Sequence, residues 1–274
     1  MQAFSADVAW NPPGGTLGAL TTASAVRAEQ VVGRLAELKA MARDCAPAKP
    51  FAPALRGPHV RVIAEVKRAS PSKGAIAPGL DAATQAAAYV EGGAAAISVL
   101  TEPSRFGGSL EDLAAVAARV SVPVIRKDFL VAPVQLWEAR AAGASAALLI
   151  VRALDQSTLA RLVDTAAEAE LSLLVEIRDQ HELARALAVG ATVIGVNNRN
   201  LETLIIDPAT APALIPSIPA ECIAVAESGI VQVSDMVPAV EAGADAVLVG
   251  SAISASPRPA EAVAQLASLV RQAR

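Results

Sequence analysis

Cysteine, histidine and aromatic side chains are scarce in this 274-residue chain, which carries two Cys, two His, four Phe, two Trp and one Tyr. Cys45 and Cys222 lie far apart without metal-type spacing, so a structural role is expected for each. With only His59 and His181 besides, a zinc site or a Ser/His/Asp triad is not expected. Positive charge is not in excess either: 23 Lys and Arg stand against 27 Asp and Glu, a formal charge of −4. That argues against general affinity for nucleic acid and leaves room for a local basic pocket. Long apolar runs are missing as well. The best candidate, residues 141–151, is about half the ~20 residues a membrane helix needs, and Arg152 ends it. No Lys or Arg precedes Arg27, and Trp10-Asn11-Pro12-Pro13-Gly14-Gly15 is no apolar signal core, so a cytoplasmic protein without membrane contact is expected.

What is abundant is alanine beside short β-rich runs. Residues 91–100, 141–150, 188–196 and 241–250 share one design, an Ala-rich helical stretch that stops at Gly and passes almost at once into a strand. Glycine can take the left-handed conformation that closes a helix, so this is one helix-to-strand turn used four times. Further apolar runs at 61–66, 122–126, 171–177 and 222–226 bring the strand count to eight. Strands alternating with helices read as parallel βα units, and eight of them predict a TIM (β/α)8 barrel. The division expected is a tail over 1–16, an N-terminal helix and Pro-rich connector over 17–58, and the barrel over 59–274. Leu20, Val26, Val31, Leu35, Leu38 and Met41 recur at roughly helical spacing and predict one amphipathic helix across 17–43, packed on the barrel. The prolines of 45–53 cannot propagate a helix, and this connector is expected to touch the barrel mouth.

The predicted C-terminal strand ends gather the chemistry. Glu65 and Lys67 are two apart, share a strand face, and run into Ser70-Pro71-Ser72-Lys73-Gly74. Lys127, Glu176, Asn197, Glu227-Ser228-Gly229 and Gly250-Ser251 end later strands, and all should converge on one mouth. Lys127 is either a charged general acid or a desolvated nucleophile, and the residues leave that choice open. Asp128 should face away from it and bond the backbone. Glu176 is a candidate general base whose pKa burial would raise and neighbouring lysines would lower. Asn197 and Arg199 can donate to hydroxyls and hold an anion. Two glycine-containing turns, Ser228-Gly229 and Gly250-Ser251, let backbone amides approach a phosphate, with a short helix expected near Ser251.

Taken in order, the motifs 63–74, Phe106-Gly-Gly-Ser109, 126–130, 148–151, Val175-Glu176, 195–201, 226–230 and 249–251 resemble the indole-3-glycerol phosphate synthase family. The resemblance runs from about Leu17 to the last helix. It implies a lyase of tryptophan biosynthesis acting on a small phosphorylated substrate, with no metal and no organic cofactor. It further implies Lys127 as the acid on the ketone oxygen, Lys67 on the substrate carboxylate, and Glu176 as general base. Glu65 and Asn197 would order lysines and hydroxyls, and Glu227 and Ser228 would support the sugar. Ser70, Gly229, Gly250 and Ser251 would hold phosphate, and Phe106, Phe129, Leu148, Leu201 and Leu248 would enclose the aromatic ring. Partner enzymes of that pathway stay open. Rival readings are a phosphoribosylanthranilate isomerase-like barrel, a Schiff-base aldolase around Lys127, and a silent phosphometabolite-binding module.

Overall fold

The computed structural model describes residues 11–274. Eight parallel strands close on themselves, each beside its sequence neighbour and the last beside the first. They are β1 (Arg61–Val66), β2 (Ala96–Leu100), β3 (Val124–Lys127), β4 (Ala146–Ile150), β5 (Ser172–Ile177), β6 (Val193–Asn197), β7 (Ile223–Glu227) and β8 (Ala246–Val249). Closure joins Ile63 of β1 to Leu248 of β8 on one side and to Ala96 of β2 on the other. This is the (β/α)8 barrel expected.

The four repeated turns work as their glycines suggest. Gly93, Gly143, Gly190 and Gly243 all hold positive φ, from 77° to 97°, where a β-carbon would be strained. Each sits at the end of the barrel opposite the C-terminal strand ends, delivering the chain into β2, β4, β6 and β8. At the other end, acidic and hydroxyl side chains start helices: Asp81, Ser109, Asp155 and Asp179 each accept an amide from the first helical turn. Among the described residues no helix is long and apolar enough to cross a membrane.

The N-terminal region departs from the expectation in three ways. It forms two helices, α1 (Gly15–Val31) and α2 (Leu35–Asp44), separated by a 3-10 turn over Val32–Arg34. Its inward face is set by Leu17, Leu20, Ser24, Ala28, Leu38 and Ala42, whereas Val26 and Met41 are exposed. Small residues let the helices lie close to the barrel: Ser24 accepts a 2.8 Å bond from buried Gln135. Second, the expected tail overlaps the helix, because Gly15 and Thr16 already belong to α1. Of the rest of that tail, residues 1–10 lie outside the described residues.

Third, the Pro-rich connector runs beneath the barrel, away from the mouth. Cys45 donates to Ala141 O, the Lys49 amide to Ser145 Oγ and the Lys49 ammonium to Val120 O, all of them ahead of β3 and β4. Residues Phe51–Ala54 do form one helical turn, because Pro53 falls where a helix has no use for its amide. Phe51 and Leu55 are fully buried there. Each such side chain contributes on the order of 1.5–3 kcal/mol.

Candidate active site

Strand alternation carries the polar residues inward at the C-terminal ends. Glu65 ends the inward row of β1 with Lys67 just beyond it, Lys127, Asn197 and Glu227 close β3, β6 and β7, and Glu176 stands one residue before the end of β5. With Arg199, Ser228, Gly229, Gly250, Ser251, Ser70, Phe106, Phe129, Leu148, Leu201 and Leu248 they line one cavity of about 220 Å³. Every residue singled out from the sequence therefore reaches the same space. Its roof and rim include residues that the strand pattern could not reveal: Thr16 and Leu20 of α1, Leu204 and Ile206 of the loop after β6, and Ile230 and Val231 after β7.

Lys127 is the hub. Its Nζ lies 2.6 Å from Glu227 Oε2 and 3.3 Å from Glu176 Oε2. Burial alone would lower its pKa, but the charges of Glu227, Glu176 and Glu65 outweigh that and hold the ammonium above the ordinary lysine value. Beside it, Lys67 Nζ pairs with Glu65 Oε1 at 3.1 Å and lies 5.5 Å from the centre of the Phe106 ring. Three carboxylates thus face two lysines, and one carboxyl is left undercompensated. That carboxyl is Glu227: burial, opposed by Lys127 and reinforced by Glu176, pushes its pKa up to about 7. Its Oε1 has no hydrogen-bond donor.

Glycines make the space for these acids. A β-carbon on Gly195 would overlap the Glu227 carboxylate, and one on Gly250 would crowd that of Glu65. The strand run Val193–Asn197 gave no sign of this, since the requirement comes from a neighbouring strand.

Glu227 also makes a pH prediction. Because its folded pKa of about 7 exceeds the ordinary 4.5, the native state binds more protons across that interval. The resulting stabilisation is complete below pH 4.5 and is lost as pH rises through about 7. Glu227→Gln should therefore flatten the fall in melting temperature over this window; an unchanged slope would contradict the assignment.

The loops add the anion-holding part. Ser228 and Gly229 both have positive φ, 66° and 83°, the first unusual for a residue with a side chain. A short helix begins at Ser251. Arg199 is partly buried, which lowers its pKa against the opposing charge of Glu65. It bonds Leu204 O at 2.9 Å and Ser72 Oγ at 3.2 Å, linking the loop after β6 to that after β1. Asn197 Oδ1 accepts the Arg199 amide at 2.9 Å, so its amide nitrogen is the part available to a ligand. Arg178 follows the end of β5. Asp128 accepts the Phe129 amide at 2.8 Å, the backbone bond expected of it, and in addition an ion pair from Arg27 at 2.7 Å.

The apolar side is built from Phe106 and Phe129, whose ring centres are 5.9 Å apart with planes inclined by 37°. Leucines 148, 201 and 248 complete it. The cavity is therefore divided between a flat apolar wall, a charged floor and glycine-containing turns, which suits a ligand with an aromatic ring at one end and an anion at the other.

The family model described as indole-3-glycerol phosphate synthase matches residues 19–266. Indole-3-glycerol phosphate synthase 1 of Streptomyces coelicolor is 53% identical over 232 residues, 85% of this chain and 86% of that protein. Indole-3-glycerol phosphate synthase of Rhodococcus jostii is 52% identical over 241 residues, 88% of this chain and 90% of the relative. Among solved structures, 3-hexulose-6-phosphate synthase from Salmonella typhimurium superposes with a TM-score of 0.62 at 16% identity, covering 76% of this chain and 97% of that one. That likeness concerns the fold alone. Given a family match across the barrel and relatives more than half identical along most of their length, the chain belongs to the indole-3-glycerol phosphate synthase family.

Proposed function

We propose that the protein is a carbon–carbon lyase that converts 1-(2-carboxyphenylamino)-1-deoxyribulose 5-phosphate into indole-3-glycerol phosphate, carbon dioxide and water. The observation that carries this reading is the cationic Lys127 at the junction of a charged floor and an aromatic wall. Ring closure moves electrons from the substituted ring carbon onto a ketone oxygen. Lys127 delivers its proton to that oxygen, since a developing alkoxide is more basic than any amine. Lys67, half-buried at the floor beside Phe106, holds the carboxylate on the ring. Loss of carbon dioxide returns the bonding electrons to the ring. Elimination of water then needs a proton on the departing hydroxyl, from Lys67, and removal of one from the ring system, by Glu176. Glu65 and Asn197 order the lysines and hydroxyls, and Glu227 and Ser228 support the sugar. Ser70, Gly229, Gly250 and Ser251 hold the phosphate. A cytoplasmic location belongs to the same reading.

The raised pKa of Lys127 weighs against the Schiff-base alternative, which needs a neutral amine. The isomerase alternative fares no better. That family uses a cysteine at the end of the first strand, where this chain has Glu65, and both of its cysteines lie at the opposite end, bonded to Ala141 O and Ala191 O.

The test is indole fluorescence on mixing the purified protein with the substrate in EDTA. Product formation is expected; silence from a folded protein would overturn the reading. Ser251→Ala should raise KM roughly tenfold, the worth of one hydrogen bond to a charged group, while kcat changes less. An unchanged KM would remove Ser251 from the phosphate site.

A further inference from the structure

Glu102 and Asp128 are both buried, and they perform matching tasks on adjacent strands. Glu102 follows β2 and accepts the amides of Ser104 at 3.0 Å, Arg105 at 2.7 Å and Phe106 at 3.1 Å. Those bonds fix the helical turn Pro103–Phe106. Asp128 follows β3 and accepts the amide of Phe129 at 2.8 Å and the Thr101 hydroxyl at 2.7 Å. The two carboxylates thus hold the main chain of the two phenylalanines whose rings meet in the cavity.

A single guanidinium lies between them. Arg27 of α1 places one terminal nitrogen 2.7 Å from Asp128 Oδ1 and the other 3.9 Å from Glu102 Oε1. Asp128 has a second cation in Arg126, but at 3.5 Å and with its other nitrogen committed to Glu138 at 2.7 Å. Arg27 is not among the residues lining the cavity, so it touches no reacting group.

We propose that Arg27 is a positioning residue for the aromatic wall: by drawing Glu102 and Asp128 together from outside the barrel, it sets the spacing of Phe106 and Phe129 and hence the slot for the substrate ring. This rests on the synthase reading above. Without the guanidinium, two buried carboxylates lose their shared cation and repel one another apart. That separation loosens the amides they hold. The effect falls on binding of the ring, because the turns at Gly229 and Ser251 take no bond from this network.

The experiment compares wild type, Arg27→Met and Arg27→Lys in two titrations, one with the non-reactive reduced analogue 1-(2-carboxyphenylamino)-1-deoxyribitol 5-phosphate and one with inorganic phosphate, alongside KM and kcat. Arg27→Met is expected to weaken the analogue and raise KM roughly tenfold while phosphate affinity and kcat stay within about twofold. Arg27→Lys keeps a cation that can reach Asp128 and should lose only about threefold, again for the analogue alone. Unchanged analogue affinity in folded Arg27→Met, or equal losses for analogue and phosphate, overturns the proposal. If Arg27→Met does not fold, the lysine variant decides, and unaltered analogue affinity there overturns it equally. Wild type that binds the analogue but forms no indole product would defeat the synthase reading and leave the Arg27 comparison intact.

Discussion

Lys127→Ala is expected to lower turnover by on the order of 10²- to 10⁴-fold, the usual loss when a positioned general acid is removed. That corresponds to about 3–5 kcal/mol of barrier. The geometry says why no neighbour can take over. Glu176 and Glu227 converge on Lys127 and are 4% and 1% exposed, so the deletion leaves two buried carboxyls and no cation between them. Glu227, whose pKa burial already raises to about 7, relieves the repulsion by taking up a proton, which preserves the barrel at reduced stability. Lys127→Arg separates charge from acidity: the guanidinium keeps a cation between the carboxylates but does not release its proton. It should recover stability without turnover. Indole fluorescence and circular dichroism melts read both effects, and near-normal turnover in a folded alanine variant would remove Lys127 from the chemistry.

Gly195→Ala is expected to be nearly as damaging, although it adds one methyl and deletes no functional group. The new carbon would overlap Glu227 Oε1 and lie 3.3 Å from Leu174 Cδ1, in a strand fixed on both sides by pairing. Glu227 is the part that must yield, and its displacement takes it off Lys127. A misplacement of about 1 Å at such a centre costs on the order of 10²-fold in rate, and overpacking adds roughly 1–3 kcal/mol of destabilisation. Glu227→Asp shortens the obstructed side chain. In that background the stability penalty of Gly195→Ala should shrink, a coupling that a double-mutant cycle measures. Simple additivity of the two substitutions would contradict the overlap.

The barrel and its mouth were legible because their signals are local. Glu65 and Lys67 share a strand face by simple alternation, and the four glycine turns recur in the same place relative to the next strand. Placing eight strand ends on one rim then follows from topology, which is how residues as distant as Ser70 and Ser251 came to be expected together. The misplaced parts depend on docking. Nothing near Val26 or Met41 says that they face outward, because the helix face was decided by Ser24, Ala28 and Ala42 fitting against a barrel surface made elsewhere. The connector carries prolines that forbid a long helix but no mark of which end of the barrel it serves. Arg27 looked like an ordinary basic residue on a helix; its partners follow β2 and β3. Gly195 was hidden for a similar reason, since the side chain it accommodates belongs to the adjoining strand.

The way α1 is fastened has a consequence for biosynthesis. Arg27 bonds Asp128, which is 101 residues further along the chain, and Gly14 bonds Glu202 at a separation of 188. At ~5–20 residues per second, the ribosome needs roughly 10–40 s to supply Glu202 after Gly14 has emerged. Until the helix Pro133–Ala141 that packs on α2 has been made, Leu38 lacks the surface that buries it. These two helices, translated ahead of the barrel, therefore wait for partners made later, and a nascent chain stalled before the helix Pro133–Ala141 presents an apolar helix to whatever chaperone is waiting.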